Sequence, residues 1–208
     1  MAYDLEEQEQ LDEFKAWWKK NGSMAINLVL AGLVVYAAWQ GYHYYQNKKA
    51  VEASELYQAL VVTDINKTAE IKTQSAKLMD SFSGTPYAGR AAVFAAKANF
   101  SANDDKSAKS QLEWATKNAK ESAIKAIASL QLASILFEEK SYDEAQKVLL
   151  NISDKGYEGL KANMQGDIFL AQGKQAEAKK AYEIALQSLD AQGKLHQYTR
   201  QKLESLGV

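Results

Sequence analysis

One uninterrupted apolar segment constrains this chain more than any other feature. Residues 24–39 read MAINLVLAGLVVYAAW, with Asn27 as the only polar side chain. An aromatic continuation to Tyr45 lengthens the segment to about 22 residues, which is roughly 33 Å of α-helix. That length is enough to cross a hydrocarbon core of about 30 Å. The sequence therefore predicts one transmembrane helix over residues 23–45.

Aromatic residues flank both ends of this segment. Their rings are apolar but carry a polar group, so such side chains collect at membrane–water interfaces. We therefore predict six membrane anchors: Trp17, Trp18, Trp39, Tyr42, Tyr44 and Tyr45. Three other interpretations stay open, namely a cleaved signal peptide, a buried helix of a soluble bundle and a helix lying in the interface. The acidic leader disfavours the first, because signal peptides normally begin with a short basic region.

The lysine residues on either side of the span predict its orientation. Three precede it and two directly follow it: Lys15, Lys19, Lys20, Lys48 and Lys49. Cytoplasmic flanks carry the excess of basic residues, so the N-terminus is predicted to be cytoplasmic. We divide the chain into an acidic cytoplasmic tail (1–22), a transmembrane helix (23–45) and an external soluble domain (46–208).

The soluble part has the pattern of an all-α domain. The whole chain contains one proline, and apolar residues recur at three- and four-residue spacing, as amphipathic helices require. Pro86 after Thr85 favours a helix that begins at Pro86, with the threonine hydroxyl as cap and Gly84 ending the helix before it. Ser141 and Glu144 fit a capping box, in which each side chain binds the backbone at the other's position.

Small and large residues also repeat along the soluble part. The pattern is clearest in Gly166, Phe169, Ala178, Tyr182 and Ala185, the spacing of a tetratricopeptide unit. Moving back 33 residues and then 37 more gives copies that begin at Ala133 and Ala96, the last with Asn99 in a large apolar position. We predict an α-solenoid of tetratricopeptide-like hairpins, with an unrelated helical bundle as the alternative. Residues 48–84 are predicted to form a leading helix pair and residues 195–206 a terminal helix.

Stacked hairpins of this kind present their first helices along a concave surface that binds partners. Aligning the three units places twelve residues on this predicted partner-binding groove: Arg90, Val93, Lys97, Phe100, Ile127, Leu130, Ser134, Phe137, Leu160, Asn163, Asp167 and Leu170. Side chains packed into the core under neighbouring helices are the alternative interpretation for any one of them.

The composition disfavours catalysis and nucleic-acid binding. The chain has no cysteine, two histidines and a net charge of −1, so it lacks a thiolate nucleophile and the basic excess of nucleic-acid binders. The acidic pairs Asp104–Asp105 and Glu138–Glu139 fall at predicted helix ends, where capping or solvation explains them. We expect no catalytic residue, no metal site and no cofactor.

Two sets of residues resemble a known family over nearly the whole chain. The first is EFKAWWKKNG at residues 13–22, directly before the span. The second comprises Lys155-Gly156-Tyr157, Gly166-Asp167, Gly173, Ala178, Ala181-Tyr182 and Ala185-Leu186. These features resemble the YfgM-like family, the ancillary subunits of the bacterial SecYEG translocon. Gln40 stands where the family pattern leads us to expect arginine.

The resemblance implies a bacterial inner-membrane protein with a periplasmic repeat domain and no enzymatic activity. It also implies association with the SecYEG translocon and with a membrane-anchored periplasmic chaperone of the PpiD type, in support of newly exported proteins. Direct contact with exported polypeptides stays open. The alternative function is an envelope assembly factor or signalling adaptor that uses the acidic N-terminal tail. An enzyme is the third hypothesis, and it requires a deep polar pocket.

Overall fold

The computed structural model describes the backbone of residues 2–207 and the side chains of residues 6–207. In this part of the chain all regular structure is helical, with nine α-helices and one short 3₁₀ turn at Lys155–Tyr157. The α-helices are α1 (Ala2–Val62), α2 (Thr68–Ser81), α3 (Pro86–Ser101), α4 (Asp105–Asn118), α5 (Ser122–Glu138), α6 (Tyr142–Leu150), α7 (Glu158–Ala171), α8 (Gln175–Ser188) and α9 (Lys194–Ser205). The predicted all-α fold is confirmed.

The chain divides into two compact units, with the boundary between Lys48 and Lys49. The first unit is the N-terminal part of α1. The second unit contains the rest of α1 and helices α2–α9. Within it α3 packs against α4, α5 against α6 and α7 against α8, while α5 also contacts α3 and α7. Antiparallel hairpins whose first helices lie side by side are the tetratricopeptide-like arrangement that the sequence predicts.

Two clusters of buried apolar side chains hold the second unit together. One joins the end of α1 to α2 and α3 and includes Leu60, Ile71 and Leu78. The other extends from α3 to α7 and includes Leu112 and Leu149. The predicted leading helix pair and the predicted terminal helix are therefore present, the latter as α9.

Small residues let the paired helices approach closely. A Cβ atom added at Gly166 would lie 2.5 Å from Cδ1 of Tyr182, whose side chain is buried. The repeat alanines are also buried, including Ala133 and Ala145. Asn99, the departure from the pattern, is buried too, and its Nδ2 donates a 2.8 Å hydrogen bond to Oε1 of Gln111. The amide is accommodated because its partner is polar as well.

The three hairpin turns share one backbone conformation. A single residue in each turn has positive φ: Asn103 (61°), Lys140 (59°) and Gly173 (76°). The next residue donates its N–H to the carbonyl five positions earlier, as Ser141 does to Leu136 at 2.8 Å. This is the Schellman pattern of helix ends. Because these residues are separated by 37 and 33 positions, the turns confirm the predicted register of the repeat.

The predicted starts of α3 and α6 are correct, but the capping hydrogen bonds predicted there are absent from the structure. Thr85 precedes Pro86 as predicted, yet its hydroxyl donates backwards to the Phe82 carbonyl at 2.8 Å. Gly84 does not adopt positive φ. Ser141 is the N-cap of α6 but makes no capping hydrogen bond, so the capping box is wrong. At the equivalent position the longer carboxylate of Asp104 does reach a backbone N–H, whereas the shorter serine hydroxyl does not.

Candidate partner-binding groove

The apolar segment of α1 exposes nearly all of its side chains. By length and hydropathy this helix is able to cross a membrane, and 6% of its most apolar window is buried inside the protein. This exposure argues against the core helix of a soluble bundle, whose apolar residues are covered. The predicted anchors are also exposed: Trp17, Trp18, Trp39, Tyr42, Tyr44 and Tyr45.

The predicted groove residues of α3 divide into two engaged and two open side chains. Arg90 donates from Nε and Nη2 to the Glu121 carboxylate at 2.7 and 2.6 Å. This hydrogen bond holds the pKa of the Glu121 carboxyl below its ordinary value. Val93 packs against the core. Lys97 and Phe100 are exposed, so the open members of this set lie in the C-terminal half of α3.

On α5 the predicted residues are mainly structural. Leu130 and Phe137 pack against the core, and the Phe137 ring lies 5.7 Å from that of Tyr142. Ile127 is half-buried, and Ser134 is exposed. Phe137 is therefore partly buried against the core, which is the alternative interpretation given for any one of these residues.

On α7 two predicted groove residues are bound by the terminal helix. Asn163 is buried and accepts a 2.8 Å hydrogen bond from the Thr199 hydroxyl. Asp167 accepts from the Lys202 ammonium at 2.7 Å and from the Tyr182 hydroxyl at 2.8 Å. The prediction that Asn163 and Asp167 lie on an open surface is therefore wrong, because residues of α9 bind both side chains.

The remaining two predicted groove residues of α7 are leucines. Leu170 is exposed and Leu160 is half-buried. Neither lies with the open residues of α3 and α5 in the hollow described next.

Three predicted residues do come together in one hollow between α3, α4 and α5. Lys97, Phe100 and Ser134 line this hollow, which has a volume of about 350 Å³. Its buried floor consists of Ala96, Leu112 and Ile135. We call it the α3–α5 hollow. It combines an apolar floor with a polar and charged rim, as binding sites for side chains commonly do.

Two further rim residues were missed in the sequence. Gln131 and Glu138 line the hollow from α5. Both lie on the face of Ser134, at i−3 and i+4. Stepping along α5 from Ser134 by three and four residues would therefore have identified both of them.

One acid of each acidic pair has a structural partner. Asp104 accepts the N–H of Ser107 at 3.1 Å, and hydrogen bonding with Ser107 lowers the pKa of its carboxyl. Glu139 binds the Lys109 ammonium at 2.6 and 2.8 Å. These residues cap or link helices, as expected for acids at helix ends.

Comparison with known proteins identifies relatives over nearly the full length. A family model described as a tetratricopeptide repeat-like domain matches residues 15–208. A protein of Neisseria gonorrhoeae named ancillary SecYEG translocon subunit is 33% identical over 211 residues, covering 99% of this chain and all of the relative. Proteins of the same name from Haemophilus influenzae and Escherichia coli K12 are 27% and 24% identical, covering 90% and 97% of this chain and 92% and 97% of their own lengths.

These similarities extend across both the apolar helix and the hairpins. The repeat domain and the names of the relatives indicate a non-enzymatic scaffold or adaptor. Neither the apolar segment nor the repeat spacing alone is specific to one family. The relatives, however, align with both features over nearly the full length of the chain. The chain therefore belongs to the family of the ancillary SecYEG translocon subunits and carries its tetratricopeptide repeat-like domain.

Proposed function

We propose that this chain is a single-span scaffold of the bacterial inner membrane that associates with the SecYEG translocon. The observation that carries the proposal is the near-full-length similarity to proteins named ancillary SecYEG translocon subunit. The exposed apolar helix supports it, because a row of exposed aliphatic side chains is stable when lipid or another apolar surface covers it.

We further propose that the N-terminus is cytoplasmic and the repeat domain periplasmic. The three lysine residues before the span, against two directly after it, support this orientation. In this arrangement the domain binds a membrane-anchored chaperone of the PpiD type and assists newly exported proteins. Tethering to the membrane raises the effective concentration of the domain near its partners, so a modest intrinsic affinity is sufficient.

The association is tested by recovering the tagged full chain from inner membranes in mild detergent. We expect translocon components and the chaperone to co-purify with it, and not with an unrelated single-span protein tagged and expressed equally. Recovery of other envelope partners without translocon components would reject the export role and favour an assembly or signalling adaptor.

The orientation is tested by single-cysteine labelling, which is simple here because the chain has no cysteine. We expect a membrane-impermeant maleimide to label Lys180→Cys in cells with a permeabilised outer membrane. Gln8→Cys should be labelled only after the inner membrane is opened. The reverse pattern would overturn the proposed orientation.

A further inference from the structure

The α3–α5 hollow contains two charges that have no partner among the residues that the structure describes. Lys97 lines it from α3 and Glu138 from α5. Neither the Lys97 ammonium nor the Glu138 carboxylate makes a hydrogen bond or ion pair with any residue that the structure describes. By contrast, nearby Arg90 and Glu139 both have ion-pair partners. Two opposite charges therefore face one hollow and are each available to a ligand.

The position of Glu138 adds to the negative potential at its side of the hollow. It is the last residue of α5, and Glu139 follows it. The C-terminal end of a helix carries a partial negative charge, so an acid there is disfavoured unless a cation is nearby. Lys109 neutralises Glu139 but leaves Glu138 without a cation. This edge of the hollow thus attracts a basic group, whereas the Lys97 side attracts an acid.

The floor of the hollow accepts one apolar anchor. Ala96, Leu112 and Ile135 form an apolar surface, and the exposed Phe100 ring stands beside it. A volume of about 350 Å³ is at the lower end of ligand-binding cavities, which suits one large side chain with its backbone.

The neighbouring groove positions are closed, which limits the kind of partner. Arg90 is held by Glu121, Phe137 is packed on Tyr142, and Asp167 is held by α9. An amphipathic helix binds through a row of apolar anchors at i, i+3, i+4 and i+7. The hollow supplies space for only one such anchor.

We infer that the α3–α5 hollow binds an extended, unfolded polypeptide segment in which one bulky apolar residue lies between an acidic and a basic residue. In an extended chain the side chains at i and i±2 point to the same side. The apolar side chain enters the hollow, the acid binds Lys97 and the base binds Glu138. The inference deepens the proposed function, on which it rests, by assigning direct contact with exported chains to this hollow.

The test uses the full chain in phosphatidylcholine nanodiscs and a fluorescent nine-residue peptide with a central Phe, an Asp at −2 and a Lys at +2. Fluorescence anisotropy should show saturable binding. Replacing the central Phe by Ser should weaken it at least about tenfold, since the apolar anchor is lost. Unchanged affinity of the Ser peptide would overturn the inference.

Charge variants make the assignment specific to two residues. Lys97→Glu should weaken binding of the Asp/Lys peptide about fivefold and shift preference to a peptide with Lys at both flanks. Glu138→Lys should shift preference to a peptide with Asp at both flanks. Lys180→Glu and Glu183→Lys on α8, both exposed, are matched controls that should leave all affinities unchanged. All four sites are exposed, and circular dichroism checks that each variant folds.

Two further outcomes would also overturn the inference. One is an unchanged peptide preference in Lys97→Glu and Glu138→Lys. The other is tighter binding of a peptide of the same composition locked as a helix. Failure of peptide binding by a chain that still co-purifies with the translocon rejects the role of the hollow alone. Peptide binding by a chain that does not co-purify rejects the proposed function alone.

Discussion

The close approach of α7 and α8 at Gly166 predicts that adding one methyl group destabilises the repeat domain. In Gly166→Ala the new Cβ would lie 2.5 Å from Cδ1 of Tyr182. The ring cannot easily move, because it is buried and its hydroxyl donates to Asp167 at 2.8 Å. A phenol is protonated at neutral pH even at its ordinary pKa, and burial raises the pKa of Tyr182 further.

The expected magnitude follows from two opposing effects. Alanine is favoured over glycine within a helix by about 1 kcal/mol. Overpacking a core costs about 1–3 kcal/mol, and the contact with a buried, hydrogen-bonded ring favours the upper value. The net loss in the free energy of unfolding is therefore about 2 kcal/mol, or a fall of about 4–8 °C in Tm for a domain of this size.

Thermal unfolding of the full chain in detergent, followed by circular dichroism at 222 nm, measures the effect. Gly84→Ala is the control, because its added Cβ meets nothing within 4 Å, and it should change stability by less than about 0.5 kcal/mol. In a Tyr182→Leu background the Gly166→Ala penalty should nearly disappear. A stable Gly166→Ala, or an equal penalty in both backgrounds, would refute the reasoning.

Three further predictions concern other contacts of the repeat domain. Asn99→Ala should lower the free energy of unfolding by about 1–3 kcal/mol because Gln111 loses its partner, whereas replacing both residues by Leu should cost less in urea titrations. The hydrogen bond from Arg90 lowers the pKa of the Glu121 carboxyl in the folded protein. The pair therefore stabilises the fold fully at pH values above the carboxyl's ordinary pKa, and this stabilisation is lost as the pH falls through the lowered pKa. The difference from Glu121→Gln, below about 1 kcal/mol, should be constant at neutral pH and disappear once the pH is below the lowered pKa of Glu121; a difference that persists when the carboxyl is fully protonated contradicts the assignment. Lys140→Gly should raise stability by about 0.5–1 kcal/mol, since φ is 59° and glycine adopts this conformation freely; unchanged or lower Tm would show that no strain is relieved.

Much of the fold could be predicted from the sequence because helix pairing depends on residue size at regular spacing. Gly166, Ala178 and Tyr182 define the third hairpin, and the structure places all three in its buried interface. The matching turns were harder to predict. Gly173 and Asn103 are residue types that favour positive φ at a helix end, whereas Lys140 is not and adopts the same conformation at the equivalent position. The capping box failed because a serine at the correct position does not ensure the side-chain bond.

The candidate site was less predictable, because the sequence shows which face a residue occupies but not what covers that face. Lys97 and Ser134, which the sequence assigned to one face, both line the α3–α5 hollow. Asp167 shares their register and Asn163 lies one turn before it, yet Lys202 and Thr199 of α9 bind these two residues. Partners 36 and 35 residues away are long-range contacts that periodicity within one hairpin does not reveal.

Photocrosslinking from the α3–α5 hollow in inner membranes tests the central claim most directly. A photoreactive phenylalanine analogue replaces Phe100, and the same analogue at exposed Ile184 on α8 is the control. During active export, we predict adducts from position 100 with translocon components, the associated chaperone or emerging chains, and far fewer from position 184. Adducts that are absent, equal at both positions or confined to envelope proteins unrelated to export would contradict a scaffold that binds its partners beside the translocon.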